Sequence, residues 1–594
     1  MEDDKVRAFA EQVRSSWLTR RGLLKTAAGT TAAAGLARFG VDGASAAPGA
    51  SAAVVQTTEE QVVYHFGLPE DPTSFDWNLN LYCNAEETAF AGLLTFDQDL
   101  NIIPDWAESY EANEDGSVYT FQIRPDNTGW TNGDPVTAND FVYSFTRLLD
   151  PENATPYPFI LFDIKGAEAF NNGTPYVKEG DPLNGKTLTA EDLGLNAIDD
   201  WTLEVTLEGP RGNFLQKVAY TACYPAHRAS VEEHGDQWAS GEIPLVSNGP
   251  FKLDRWEHDV MVEMSKNENY WDAERIRVTK VFNPIIPAEN SVLAYEQGEG
   301  EQRLDWTNVS AADLPRFQED AELSTQLTPY VYPGIWMLVN SNNIPPFDQI
   351  EVRRAVSHAV DRSRLVQVTN GMALEAFSMV PPGVFGFFED PAIAEIQKFD
   401  PQLAMDALKG TEFEGGQNWP ELTMWMRASE EIYNADLMAN DIVAQLKDNL
   451  GMDINISAIP QTNFTDQLTK NEWQMVFIRW WYDYPDADNG YGDMYYSRKS
   501  SGKRQAWSNA EFDDLVIAGR SEPDPEARLE IYKQLETIIQ EDVGYTPLVY
   551  RLDQYAIKPF LLDVPTNRQG SKVPDGNIYV RMLSNVSLEG RPAE

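Results

Sequence analysis

The chain has 594 residues, enough for two to four domains rather than one. It carries 93 Asp and Glu against 46 Lys and Arg, a formal net charge of −47; such a surface repels phosphate backbones and anionic lipid and excludes nucleic acid as a partner. Hydrophobic residues at 42% and aromatics at 11% supply sizeable cores, whereas two cysteines, Cys83 and Cys223, exclude a disulfide-dense scaffold or a cysteine-rich zinc module and leave open one disulfide between them.

At the N-terminus, TRRGLLK (19–25) matches the twin-arginine export pattern. A short small-residue apolar stretch (27–37) follows, then an Ala-x-Ala cleavage site at 44–46. Residues 1–46 are therefore expected to be a signal peptide, with the protein exported to the periplasm or cell surface. The apolar stretch is too short to span a membrane, and no cysteine at the cleavage site indicates a lipid anchor. Residues 47–59, small and polar, read as a linker.

QVVYHFG (61–67) predicts a strand, and Asp115-Gly116 between strand-like runs predicts a hairpin with Tyr119, Phe121 and Ile123 on one face. Thr137 and Asp140 form a capping box before a helix. SNGPF (247–251) turns into a strand pair ending near Tyr270 and Trp271. A helix opened by Asp348 carries Val352, Val356, Ala359 or Val360, and Leu365 on its apolar face. A further helix over 434–450 stops at Gly451, followed by the strands MDINISAI and WQMVFIRWW. The last clear helix, 524–541, places Leu529, Tyr532, Leu535 and Ile539 together. Interleaved helices and strands argue for an α/β fold with mixed sheets.

Several motifs fall on closer reading. Residues 180–187 (GDPLNGKT) match the phosphate-loop pattern, but no buried strand precedes them, so they read as a surface loop. His227 and His234 lie seven apart beside Glu232 and Glu233 without an H-E-x-x-H pair, a poor zinc site. Asp486, Asp488 and Gly490 resemble a calcium loop, but the glycine comes one position early and Ser497 stands where the bidentate Glu belongs; Asp486 and Asp488 are instead expected to cap a loop or lie on the surface. No metal or cofactor is expected. Paired carboxylates with 16 tryptophans would suit a secreted glycosidase, yet no acid and nucleophile stand out.

Blocks spanning about residues 60–560 resemble the extracytoplasmic solute-binding proteins of dipeptide and oligopeptide ABC transporters, solute-binding protein family 5. They are IIPDWAESYEANEDGSVYTFQIRPDNTGWTNGDPVTANDFVYSFTRLLDP (102–151), SNGPFKLDRWEHDVMVEMSKNENYWD (247–272), PPFDQIEVRRAVSHAVDRSRLV (345–366) and WWYDYPDADNG (480–490). The resemblance implies a periplasmic-binding-protein-like type II fold, two α/β lobes with mixed sheets closing on a cleft, plus an inserted domain. It implies lobe I at 60–92, 213–332 and 549–594, the inserted domain at 93–212, and lobe II at 333–548. It also implies a monomer that binds a peptide or other small solute, delivers it to a membrane permease, and is not an enzyme.

In this family the aspartate of the W-x-x-D-Y block holds the peptide's α-ammonium, a role that falls on Asp483 with Trp480 and Trp481 as apolar walls. A charged acceptor in a closed cleft suits a buried ammonium, and aromatic walls add cation–π attraction. Arg427, ahead of Tyr433 and Asn434, is similar to the arginine that takes the ligand carboxylate, or is a surface-paired arginine. Tyr484, Tyr82 and Trp336 complete the candidate ligand contacts. The aromatic-rich block and the tryptophan content keep an oligosaccharide ligand open; a sensor module and a glycosidase are the readings of other classes.

Overall fold

The computed structural model describes residues 62–64, 68–79, 86–428, 434–499, 506–573 and 586–589. The signal peptide, the linker, Tyr82 and Cys83 lie outside them; Cys223 is a free, buried thiol. Three larger sheets organise the described residues; two are mixed, as expected, and one is purely antiparallel.

The first has four strands in the order Val62–Tyr64, Lys280–Pro284, Met261–Lys266, Phe251–Glu257; the initial strand is parallel to its neighbour and the rest are antiparallel. A second four-stranded antiparallel sheet runs Ala107–Ala112, Val118–Ile123, Thr202–Thr206, Leu195–Asp199. Its hairpin turns at Gly116, whose φ of +71° glycine adopts without strain, and Tyr119, Phe121 and Ile123 all point into the core.

The third sheet positions the site. Its order is Trp306–Asn308, Thr546–Ile557, Leu327–Asn340, Met475–Trp481, Leu422–Arg427, Ile454–Ile459, with Ala373–Glu375 also on Thr546–Ile557. Successive side chains alternate between the two faces of a strand. Trp336 and Leu338 accordingly enter one core with Met475 and Phe477, while Ile335, Met337 and Val339 enter a second with Val476, Ile478 and Trp480. Both faces are covered by helices, which is why this segment reads as a near-continuous apolar run.

Helix ends follow local chemistry. The Thr137–Asp140 capping box opens Ala138–Leu149. Gly451, at φ +71°, closes Ala435–Leu450. Asp524 accepts from the Ala527 N–H at 2.8 Å and opens Pro525–Glu541. Residues 180–187 form an exposed turn, with Lys186 paired to Asp192 at 2.8 Å.

Two expectations are corrected. The helix expected after Asp348 is two, Ile350–His358 and Arg362–Val368. Asp361 caps the second by accepting from the Ser363 N–H at 2.9 Å, and its own N–H is taken by Gln445. In Pro525–Glu541, Leu529 is only half-buried, and Arg528 turns inward in its place with Tyr532, Leu535 and Ile539. The internal carboxylate of Asp486 draws it there.

Candidate ligand-binding site

The strand Met475–Trp481 pairs antiparallel with Leu327–Asn340, setting Gly334 opposite Trp481 and Trp336 opposite Arg479. It pairs parallel with Leu422–Arg427, Met424 opposite Met475. Arg427 and Trp481 therefore both lie toward the C-terminal ends of neighbouring parallel strands, the edge at which open α/β sheets bind ligands. The Arg427 guanidinium lies over the Phe464 ring at 5.0 Å.

Alternation sends the two adjacent tryptophans to opposite faces, so they are not twin walls of one pocket. Trp480 enters the core that holds Ile335, Val476 and Ile478, is 8% exposed, and donates its indole N–H to Asn489 Oδ1 at 2.8 Å. Trp481 is half-buried. Its ring meets Trp336 and Tyr332 edge-on at 5.7 and 5.9 Å, and the guanidiniums of Arg479 and Arg551 lie 4.6 and 5.2 Å from it. Arg551 is aimed by two hydrogen bonds to Asp553, both 2.7 Å.

Beyond the strand, the Tyr482 N–H still donates to the Pro333 carbonyl at 3.0 Å. The chain then turns at Asp483, which is half-buried. Its Oδ1 accepts from the Tyr157 hydroxyl at 3.0 Å and its Oδ2 from the Asn489 amide at 3.3 Å. Tyr157 belongs to the segment between the second sheet's two hairpins, so this contact joins that region to the third sheet.

Two candidates prove to be interior supports. Trp336 is 3% exposed and stacks on Phe477 at 4.9 Å, beneath Trp481. Tyr484 is fully buried, and its hydroxyl, with one proton to donate, lies 3.0 Å from Asp488 Oδ2 and 2.8 Å from Asp493 Oδ2. Burial and the two carboxylates hold its phenol well above the ordinary value.

The expectation of surface roles for Asp486 and Asp488 is likewise corrected: they are 0% and 2% exposed. Asp486 does cap the helix Ala487–Gly490, but it also pairs with Arg528 at 2.5 Å. Asp488 accepts from Arg520 at 2.7 Å and from Asn213 at 2.8 Å. Nearby, Asp163 pairs with Lys217 and Arg211, both at 2.6 Å, and Arg520 reaches Asp493 at 3.2 Å.

Apart from the Asp486–Arg528 pair, Asp163, Asp488 and Asp493 face Lys217, Arg211 and Arg520, three charges of each sign. Burial opposes ionisation of Asp163 and Asp488, but the cations outweigh it: Lys217 and Arg211 for the former, Arg520 and Lys217 for the latter. Both carboxyls lie below their ordinary value. Asp493 lies above its own, because burial and the Asp488 charge exceed the pull of Lys217 and Arg520.

The histidines of the rejected zinc reading have other work. His227 hydrogen-bonds Ser230 Oγ at 2.8 Å and Asp134 at 3.0 Å. His234 lies 3.9 Å from Glu233.

Asn489, Tyr157, Arg551 and Gly334 also belong to the site. Only Gly334 left a local signal, a glycine in a β-run where another group comes close.

Residues 101–502 match the family model described as "Bacterial extracellular solute-binding proteins, family 5 Middle". The chain belongs to that family. Among family 5 relatives, the oligopeptide-binding protein OppA of Bacillus subtilis is 29% identical over 478 residues, covering 78% of this chain and 83% of the relative. The dipeptide-binding protein DppE of the same organism is 28% identical over 507 residues, covering 83% and 88%. The fold is shared with the Escherichia coli murein tripeptide binding protein MppA, at TM-score 0.71 and 24% identity over 89% of this chain and 99% of that one. It is shared also with Haemophilus influenzae OppA in complex with the peptide RPPGFSPFR, at TM-score 0.70 and 23% identity over 89% and 99%. The two-lobed type II architecture of family 5 is thus that of this chain.

Proposed function

We propose that this protein captures a peptide outside the cytoplasmic membrane and delivers it to the permease of an ABC transporter, without turning it over. The observation that carries the reading is the Asp483 carboxylate, held at a strand's C-terminal end by two neutral donors beside the half-buried Trp481. That arrangement suits a ligand's α-ammonium, because an ionic hydrogen bond gains strength where water is excluded. The relatives named for oligopeptides and dipeptides support a peptide as the ligand.

The lobes in this reading are 60–92 with 213–332 and 549–594, and 333–548, with 93–212 inserted in the first. The strands Leu327–Asn340 and Thr546–Ile557 run through both crossings, and their register shifts between Val331 and Ile335. An irregularity in paired strands is a natural hinge, and ligand contact with both lobes favours the closed state. The protein acts as a monomer after twin-arginine export in this reading.

A second reading rests on the "Probable deoxycholate-binding periplasmic protein YgiS" of Escherichia coli, 27% identical over 551 residues and covering 90% of this chain. It assigns the Trp481 aromatic cluster to an apolar solute.

Calorimetry with peptides, cello-oligosaccharides and deoxycholate separates these readings. Peptide binding that Asp483→Asn weakens at least about tenfold is expected, the worth of one charged hydrogen bond. Binding of a sugar or of deoxycholate alone overturns the peptide reading, and any released product overturns the absence of turnover.

A further inference from the structure

Asn489 is fully buried, and its carboxamide is saturated. Its oxygen accepts from the Trp480 indole N–H at 2.8 Å and the Asp483 backbone N–H at 3.2 Å. Its nitrogen donates to Asp483 Oδ2 at 3.3 Å and Asp493 Oδ2 at 3.1 Å. An asparagine amide has two N–H groups and two acceptor sites, and all four are used here.

The consequence falls on Asp483. One amide grips both its main-chain N–H and one carboxylate oxygen, a cyclic contact that fixes the side-chain torsions relative to the backbone. The Tyr157 hydroxyl, on a different segment, takes the other oxygen. These two donors are neutral, so neither of them cancels the carboxylate's charge.

We infer that Asn489 and Tyr157 are positioning residues for Asp483, setting the direction in which its carboxylate meets a ligand's ammonium group. The inference rests on the peptide reading and names two residues that act through the acid rather than on the ligand. Asn489 is tied through Trp480 to a strand of the third sheet, so the acid is anchored to a rigid element and not to its loop alone.

The test compares a mixed tripeptide pool bearing free N-termini with the same pool N-acetylated, by calorimetry on wild type, Asp483→Asn, Asn489→Ala and Tyr157→Phe. Expected is a loss of about tenfold for the free-amine pool in both positioning variants, with less than about twofold for the acetylated pool. Thermal melts verify that each variant is folded. Should Asn489→Ala fail to fold, Tyr157→Phe, which keeps the ring, and Asn489→Ser, which keeps a hydroxyl, decide instead. Equal losses for both pools mean a merely structural role and overturn the inference. If Asp483→Asn loses the preference for free amines while both positioning variants keep it, the inference falls and the peptide reading stands. If Asp483→Asn itself keeps that preference, the reading falls and the inference with it.

Discussion

The indole of Trp481 occupies the space that a side chain at Gly334 would need: a Cβ there would sit 2.2 Å from Cε3 and 2.5 Å from Cζ3 of the ring. The two residues face each other across paired strands. Trp481 is flanked by Arg479, Arg551, Tyr332 and Trp336, so it has little room to retreat. Gly334→Ala should therefore lower stability by about 1–3 kcal/mol through overpacking and displace the indole from the site. Urea unfolding and peptide calorimetry check both; a variant as stable and as tight-binding as wild type would refute the close approach.

The balanced charge group around Asp163 makes stability depend on pH. The folded-state carboxyls of Asp163 and Asp488 lie below their ordinary value of 3.8, so their contribution is complete above about pH 4 and is lost as pH falls below it. Asp163→Asn leaves Lys217 and Arg211 facing a neutral amide and should cost about 3–5 kcal/mol at pH 7. The deficit should shrink toward acid, where wild type loses the same charge. Asp493 has the opposite sign: its carboxyl is raised, so ionising it as pH climbs above 3.8 works against the fold. Asp493→Asn should accordingly cost less than Asp163→Asn at pH 7. Denaturant midpoints at pH 3, 5 and 7 settle the order.

What was legible in the sequence was what neighbouring residues decide. Thr137, Asp524 and Gly451 marked helix ends because a cap is closed by a backbone group a few positions away. Period-two alternation had already placed Trp480 and Trp481 on opposite faces, yet their adjacency invited one pocket. The burial of Asp486 and Asp488 depends on Arg528 and Arg520, 42 and 32 residues downstream, and no local pattern joins them. Leu529 lost its expected place to Arg528 for the same reason. Tyr157 is beyond such reading altogether, since 326 residues separate it from Asp483.

A net charge of −47 sets up self-repulsion that salt screens. The Debye length falls from about 10 Å at 0.1 M to about 3 Å at 1 M. The melting temperature should rise between 0.05 and 1 M NaCl, and the buried pairs of the interior should gain little from the same change. A melting temperature that stays flat or falls over that range would show that surface repulsion does not limit stability.

Asp486 and Arg528 form the most enclosed ion pair at the site, with side chains 0% and 4% exposed. Tyr532 donates to Asp486 Oδ1 at 2.8 Å, and Arg528 Nη1 donates to the Gly212 carbonyl at 3.0 Å. The pair thus ties the helix after Asp483 to the chain at Gly212. Removing one partner strands the other charge in the interior, whereas removing both removes the desolvation cost as well. Arg528→Met and Asp486→Asn should each cost about 3–5 kcal/mol, and the double variant clearly less than their sum. Urea titration of the four proteins measures the coupling. Additive losses would mean that the two charges do not depend on each other, and that Gly212 and Tyr532, rather than the ion pair, hold the segment against the site.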